Sequence, residues 1–268
     1  MNNFSVLDPK SPIFGALHSS TLFKKLKEDP ELYIEIRKDN YINVYYQGGC
    51  VAKIEYKKGL IFTTNTKYLG LERSGYQKSE RYLEFELPCV KKRIEKEYSQ
   101  KKYLETHKIE DLSEKYYQAD LILRKYVGSH LDAEFAYSKN NKQRIDIVCC
   151  DKDGEVSFIE LKIIGDTRLG RKLEVLKQMK KYIEFIPGYE TDLLDHYQKV
   201  YDVKEKLGLP LPPHRPTRIN TKPILLVLNN YTKIESKRKK KIENLKKACA
   251  KNNFNLRWTN DQGDEITI

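Results

Sequence analysis

A chain of 268 residues with 39% apolar and 33% charged residues can fill a sizeable core, as one large domain or two modest ones, which excludes a mainly disordered protein. Its 50 Lys and Arg against 38 Asp and Glu leave a net charge of +12, a surplus that attracts polyanions, nucleic acid first. No apolar run approaches the ~18 residues of a membrane-spanning helix, and the start, MNNFSVLDPKSP, lacks the basic-then-apolar pattern of a signal peptide.

In chain order, residues 21–29 read as a short helix that stops before Pro30. Next, β-branched and aromatic residues lie between the turn signals Asp39-Asn40, Gly48-Gly49 and Lys57-Lys58-Gly59. They predict four strands, 31–38, 41–46, 50–56 and 60–64, in an antiparallel meander. This β-rich N-terminal module, residues 1–87, carries no catalytic cluster, and Tyr41, Tyr45 and Tyr46 could stack bases but read first as its core. Residues 88–110 read as a helical linker, with Val90, Ile94 and Tyr98 at helical spacing.

The rest of the chain, 111–268, has the pattern of an α/β domain with a mixed sheet. A helix is expected to start after Asp111 or Ser113, with Leu112, Tyr116, Ala119, Ile122, Leu123 and Tyr126 as its apolar face and Gly128 as its stop. Three strands follow, at 133–138, 144–151 and 155–164, then a helix near 171–186 ended by Pro187-Gly188, and another over 190–207. Five prolines make 208–223 a stiff, extended connector. The run PILLVLNN (223–230) reads as a strand covered on both faces, followed by a very basic helix (233–252) and a closing strand (254–260).

The five cysteines, Cys50, Cys89, Cys149, Cys150 and Cys249, are odd in number and lack Cys-x-x-Cys spacing. This argues against a disulfide framework or a zinc site and for a reducing, cytoplasmic setting. The five histidines are scattered without metal-ligand spacing.

The chemistry concentrates in RIDIVCCDKDGEVSFIELK, where Asp146 and Glu160 each interrupt a run whose neighbours favour burial. A buried carboxylate must be paired, protonated or bound to metal. Lys152-Asp153-Gly154 forms a good three-residue hairpin loop with Gly at the left-handed position. If Asp151 then pairs with Glu155, Asp146 falls opposite Glu160 on the same face, with Cβ atoms about 5 Å apart. Strand alternation puts Lys162 on that face too. Two acids so placed repel, and a hard divalent cation such as Mg²⁺ or Mn²⁺ reverses the sign of that term. Lys162 could then orient or deprotonate a water, or neutralise developing charge.

This pattern resembles the PD-(D/E)XK nuclease superfamily, which includes restriction endonucleases, lambda-type exonucleases and Holliday-junction resolvases. The matching residues are Asp146 at the end of one strand and Glu160-Leu161-Lys162 on the next, in the order helix, three-strand meander, helix, strand. The helix that follows carries Gln178-x-x-x-Tyr182, a feature of the exonuclease-like branch. One letter departs: the Pro expected before the Asp is Ile145. The resemblance spans roughly residues 110–230 and does not extend to the first hundred residues.

It implies a restriction-endonuclease-like mixed central sheet flanked by helices. It also implies Mg²⁺ held by Asp146, Glu160, the Leu161 carbonyl and Glu114, the acid at the start of the preceding helix. Lys162 would position the attacking water, and Gln178 and Tyr182 would steady Lys162 or the phosphate. The implied activity is phosphodiester hydrolysis, of DNA before RNA, in microbial defence or repair. Endo- and exonucleolytic cleavage both stay open. The basic run Lys237, Arg238, Lys239, Lys240 and Lys241 could grip a phosphate backbone, or could simply be a solvated helix face. Glu134 is a second candidate for the third acid, though it reads more readily as solvent-facing. The alternatives are a catalytically silent nucleic-acid- or partner-binding protein on the same fold, or an effector nuclease activated through its N-terminal module. That module would serve substrate choice, regulation or an oligomer contact such as a homodimer.

Overall fold

Alternating apolar side chains and tight turns build the first sheet. The computed structural model describes residues 7–8, 10–37, 40–98, 112–124, 126, 129–137, 143–170, 173–231 and 236–260. Strands β1 (Tyr33–Arg37), β2 (Tyr41–Tyr46), β3 (Gly49–Tyr56), β4 (Leu60–Asn65) and β5 (Tyr76–Lys78) form an antiparallel sheet in that spatial order. The four expected strands are present, and β5 extends the meander by three residues, too short a run for alternation to show. Helices α1 (Pro12–Ser19) and α2 (Thr21–Glu28) cover the sheet through Ile13, Leu17, Phe23 and Leu26. The Ser20 hydroxyl caps α2 by accepting the Phe23 N–H. Helices α3 (Thr66–Leu69), α4 (Glu80–Phe85) and α5 (Leu87–Tyr98) complete this part, with Val90 and Ile94 of α5 in the core as their spacing predicts.

The β2–β3 turn is Gln47-Gly48, with φ of 45° and 86°, the left-handed pair that a two-residue hairpin turn requires. A Cβ on Gly48 would stand 2.6 Å from Lys115 Cβ, which lies on the helix leading to the second sheet. Gly48→Ala is therefore expected to cost about 1–3 kcal/mol in urea denaturation. Gly59→Ala, whose Cβ meets nothing within 4 Å, should stay within about 0.5 kcal/mol. Equal effects of the two would remove close approach as the reason for Gly48.

The second sheet follows α6 (Glu114–Arg124). It comprises β6 (His130–Tyr137), β7 (Gln143–Cys150), β8 (Glu155–Ile163), β9 (Arg218–Ile219), β10 (Ile224–Asn229) and β11 (Asn255–Asn260), in the order β11-β10-β8-β7-β6 with β9 beside the start of β8. Strands β6, β7 and β8 are antiparallel neighbours, whereas β8, β10 and β11 run parallel, so the sheet is mixed. Between them come α7 (Glu174–Gly188), α8 (Glu190–Leu207) and α9 (Ser236–Lys251). One face, with Ile147, Ile159, Leu161 and Leu226, packs on α6 and on Tyr33 and Tyr45 of the first sheet. The other, with Val148, Phe158, Leu225 and Val227, packs on α7, α8 and α9. The continuous apolar run of β10 is buried on both faces, as read.

Two local readings change. Pro187 sits inside the last turn of α7, which stops one residue later at Gly188; its missing N–H forgoes one helical bond there and leaves no following turn to disrupt. The proline-rich connector docks on β8, where Thr217 N–H donates to the Gly154 carbonyl at 2.8 Å and β9 pairs with Glu155 and Val156. Gly128, the expected stop of α6, lies outside the described residues. Among the described residues, no helix is long and apolar enough to cross a membrane.

The two sheets share a core and a buried polar seam. Val203 and Leu207 of α8, with Leu209, pack into the core of the first sheet. Between β1 and β6, Arg37 pairs with Asp132 at 2.6 Å and donates to the Ala133 carbonyl at 2.8 Å.

Candidate active site

The hairpin loop sets the β7–β8 register as predicted: Ile147 faces Ile159 and Val148 faces Phe158. Gly154 takes φ of 76°, and Asp151 N–H donates to the Glu155 carbonyl. Beyond the Ile147–Ile159 pair, β8 runs on beside β10 while its ladder with β7 ends. The strands part there, and Asp146 fills the wedge, its Oδ2 accepting the Leu161 N–H at 2.9 Å. A side chain thus takes over a ladder bond where the backbone no longer reaches.

Asp146, Glu160 and Lys162 point the same way. The Lys162 ammonium, 1% exposed, contacts Glu160 Oε1 and stands 3.6 Å from Asp146 Oδ2 and 3.3 Å from Glu114 Oε1. It also donates to the Leu161 carbonyl at 2.5 Å. Glu114 opens α6, whose N-cap is Ser113: its hydroxyl accepts the Tyr116 N–H at 3.2 Å, so of the two expected starts the chain uses Ser113. Gln178 and Tyr182, one turn apart on α7, brace Glu160 rather than Lys162. The Tyr182 hydroxyl lies 2.8 Å from Glu160 Oε2 and also contacts the Arg144 carbonyl, while Gln178 Nε2 donates to that hydroxyl at 2.7 Å.

Burial and crowding of like charge dominate the electrostatics. Burial and the nearby Asp146 push Glu160 up to about 7 despite Lys162 and Tyr182. Burial likewise raises Glu114, with Asp146 adding to it and Lys162 opposing. Burial alone would lower Lys162, but Asp146, Glu160 and Glu114 outweigh it, so the ammonium is held charged.

Two groups at the mouth, Arg168 and Gln118, carried no sequence signal. Arg168, held by Asp166 through three short contacts, stands 3.5 Å from Glu114 Oε1. Gln118 donates to the Asp146 carbonyl. Glu134 pairs with Lys115 instead of facing solvent alone, at φ of 55° in mid-strand, a conformation rare for a residue other than glycine. Within α9, Lys241 donates to the carbonyls of Ile164 (3.0 Å) and Asp166 (2.6 Å), tying the helix to the segment after β8. Arg238 lies over the Tyr231 ring at 3.9 Å, Lys239 and Lys240 are exposed, and the Lys237 side chain lies outside the described residues.

Glu114, Asp146, Glu160 and the Leu161 carbonyl offer oxygen donors only, and Glu114 Oε2 is buried without a hydrogen-bond partner. Hard oxygen donors with an unmet acceptor and crowded negative charge fit a magnesium-class ion. Among the described residues, no three His, Cys, Asp or Glu side chains are arranged as a metal cage; the Lys162 ammonium sits where these oxygens converge. No protein-family model, curated protein or solved structure matches the chain.

Asp146→Asn keeps an acceptor for the Leu161 N–H and removes one charge from the cluster. Without metal, the variant should melt no lower than wild type, while its thermal stabilisation by Mn²⁺ should shrink. A large drop in metal-free melting temperature would mark Asp146 as half of a structural ion pair.

Proposed function

We propose that this chain is a metal-dependent nuclease with a restriction-endonuclease-like catalytic region, hydrolysing phosphodiester bonds in DNA before RNA. The observation that carries the reading is the convergence of Asp146, Glu160 and Glu114 on Lys162 where β7 and β8 part. The order of α6, the β6–β7–β8 meander, α7, α8 and β10 supports the same reading. So does the net charge of +12.

In this proposal Asp146, Glu160, Glu114 and the Leu161 carbonyl hold Mg²⁺. The ion, when bound, activates water and offsets negative charge on the phosphate. Asp146 and Glu160 are kept in place by the Leu161 N–H and by Tyr182 with Gln178. Lys162 supplies ammonium N–H groups that orient the attacking water and stabilise charge on the non-bridging oxygens. Arg168, less than half exposed beside Glu114, adds a second cation at the mouth. Water adds to phosphorus and one P–O ester bond breaks, leaving a phosphomonoester and a hydroxyl.

The occupation of the cluster by Lys162 also suits a second reading, a silent nucleic-acid-binding protein on the same fold. One assay separates them: linear, circular and single-stranded DNA with Mg²⁺ or Mn²⁺, beside Asp146→Ala and Lys162→Ala. Metal-dependent cutting lost in both variants supports the nuclease. Cutting undiminished in both removes this site from the mechanism, and binding without cutting favours the silent reading.

A further inference from the structure

The basic helix α9 divides its cations between the inside of the molecule and its outer face. Ile242, Leu245 and Cys249 seat it in the core of the second sheet. Two cations are spent on the protein itself: Lys241 on the carbonyls of Ile164 and Asp166, and Arg238 on the Tyr231 ring. Lys239, Lys240, Lys247 and Lys251 are exposed and, among the described residues, make no ion pair or hydrogen bond. At about 100° per residue, Lys240, Lys247 and Lys251 fall within about 40° of one another, in a row about 16 Å long. Glu243 is the single acid of the helix.

This loading costs the helix stability. Lys247 and Lys251 are like charges four residues apart. The first turn carries no acid and holds Arg238 and Lys239 at the positive end of the helix dipole. A merely solvated face gains nothing from charge of one sign, whereas a polyanion laid along it offsets every one of these lysines. The position of the row points the same way. Lys241 ties the N-terminal half of α9 to the segment after β8, and Arg168 of that segment stands 3.5 Å from Glu114 at the mouth of the carboxylate cluster. From there the helix leads away for about 24 Å. We infer that the outer face of α9 is a nucleic-acid track, on which Lys239, Lys240, Lys247 and Lys251 grip the phosphates of a DNA strand led to the cluster past Arg168. The inference rests on the nucleic-acid substrate of the proposed function and holds with or without turnover. Ammonium groups are point charges that meet phosphates and not base edges, so the track holds DNA without regard to sequence.

The test is the affinity of the full chain for fluorescein-labelled DNA, single-stranded and duplex, read by fluorescence anisotropy in EDTA from about 50 to about 200 mM KCl. With the metal chelated, binding is measured apart from cutting. One variant combines Lys240→Gln, Lys247→Gln and Lys251→Gln. A control of equal charge combines Lys57→Gln, Lys58→Gln and Lys78→Gln, exposed residues of the first sheet. Losing three phosphate contacts should make the slope of log K against log salt shallower by about 2–3, and should lower affinity about tenfold or more, alike for unrelated sequences. The control should keep the wild-type slope. The DNA form with the larger change is the one the track carries. If the triple variant does not fold, Lys247→Gln alone should still change the slope by about 0.7–0.9. A wild-type slope in the α9 variant, or equal losses in variant and control, would overturn the track and leave the nuclease reading standing. A wild-type chain that binds neither form of DNA would overturn both. Phosphatidylserine–phosphatidylcholine vesicles are the last probe: tighter binding to them than to DNA, lost in the α9 variant, would overturn the track by assigning the face to an anionic membrane.

Discussion

Replacing Lys162 with Ala should lower metal-dependent DNA cleavage by about 10²-fold or more, the usual effect of deleting a preorganised charged donor. The same change should weaken the metal-free fold by about 3–5 kcal/mol, because it leaves charges buried without their partner. Three carboxylates converge on this ammonium, and two of them, Glu160 and Glu114, are already pushed up by burial. Without Lys162 their mutual repulsion is unopposed inside the cluster. Mg²⁺ should then return stability to the variant without returning the rate, since a bound dication offsets charge but cannot orient the attacking water in the same way. Cleavage rates and melting curves, each with and without Mg²⁺, separate the two effects. Wild-type rates in a folded variant would remove Lys162 from the chemistry. An unchanged metal-free melting temperature would show that Lys162 does not hold the carboxylates together.

Glu35→Gln is expected to cost about 3–5 kcal/mol at neutral pH, as large a stability effect as any in the chain. Glu35 is fully buried in the seam, near Lys204 and His130, on the same strand as Arg37. Burial alone would raise its carboxyl, but Lys204, His130 and Arg37 outweigh it and hold the group well below the usual carboxylate range. The folded protein therefore keeps Glu35 charged to lower pH than the unfolded chain, whose value is about 4.3. That contribution is present above about pH 4.3 and is lost as pH falls through the folded value. His130 acts earlier. Burial holds it below its ordinary value despite Glu35, so the unfolded chain gains the proton first as pH falls below about 6.5. Asp132 works in the opposite sense, since burial raises it even against Arg37, and its protonation favours the folded state. Urea denaturation of wild type and Glu35→Gln across this range isolates the Glu35 part. The difference between them should be large at neutral pH and shrink below about pH 4.3. A small difference at every pH would mean that the seam tolerates loss of this charge.

The seam also shows why parts of the protein were not legible. In β1 the sequence YIEIR alternates, which by itself reads Glu35 and Arg37 as an outer polar face. That face is closed by β6 and α8, whose partner residues Asp132 and Lys204 lie far along the chain. The candidate site divides in the same way. Asp146, Glu160 and Lys162 were legible because one short hairpin and the two-residue period of a strand place all three. Gln178 and Tyr182 were found as a pair, but their target, Glu160, depends on how α7 lies across the sheet. Arg168 and Gln118 gave no pattern because their partners come from other segments.

By itself the sequence determined the strands, the long helices of the second half and the register that puts two acids and a lysine on one face, since these follow from local turn chemistry and side-chain period. Only the tertiary structure decided that Glu114, named from the resemblance alone, stands beside them, that Lys162 fills the space between the carboxylates, and that two sheets enclose a charged seam. Those outcomes depend on which surfaces exclude water from one another, and contacts between distant segments leave no local periodicity to read.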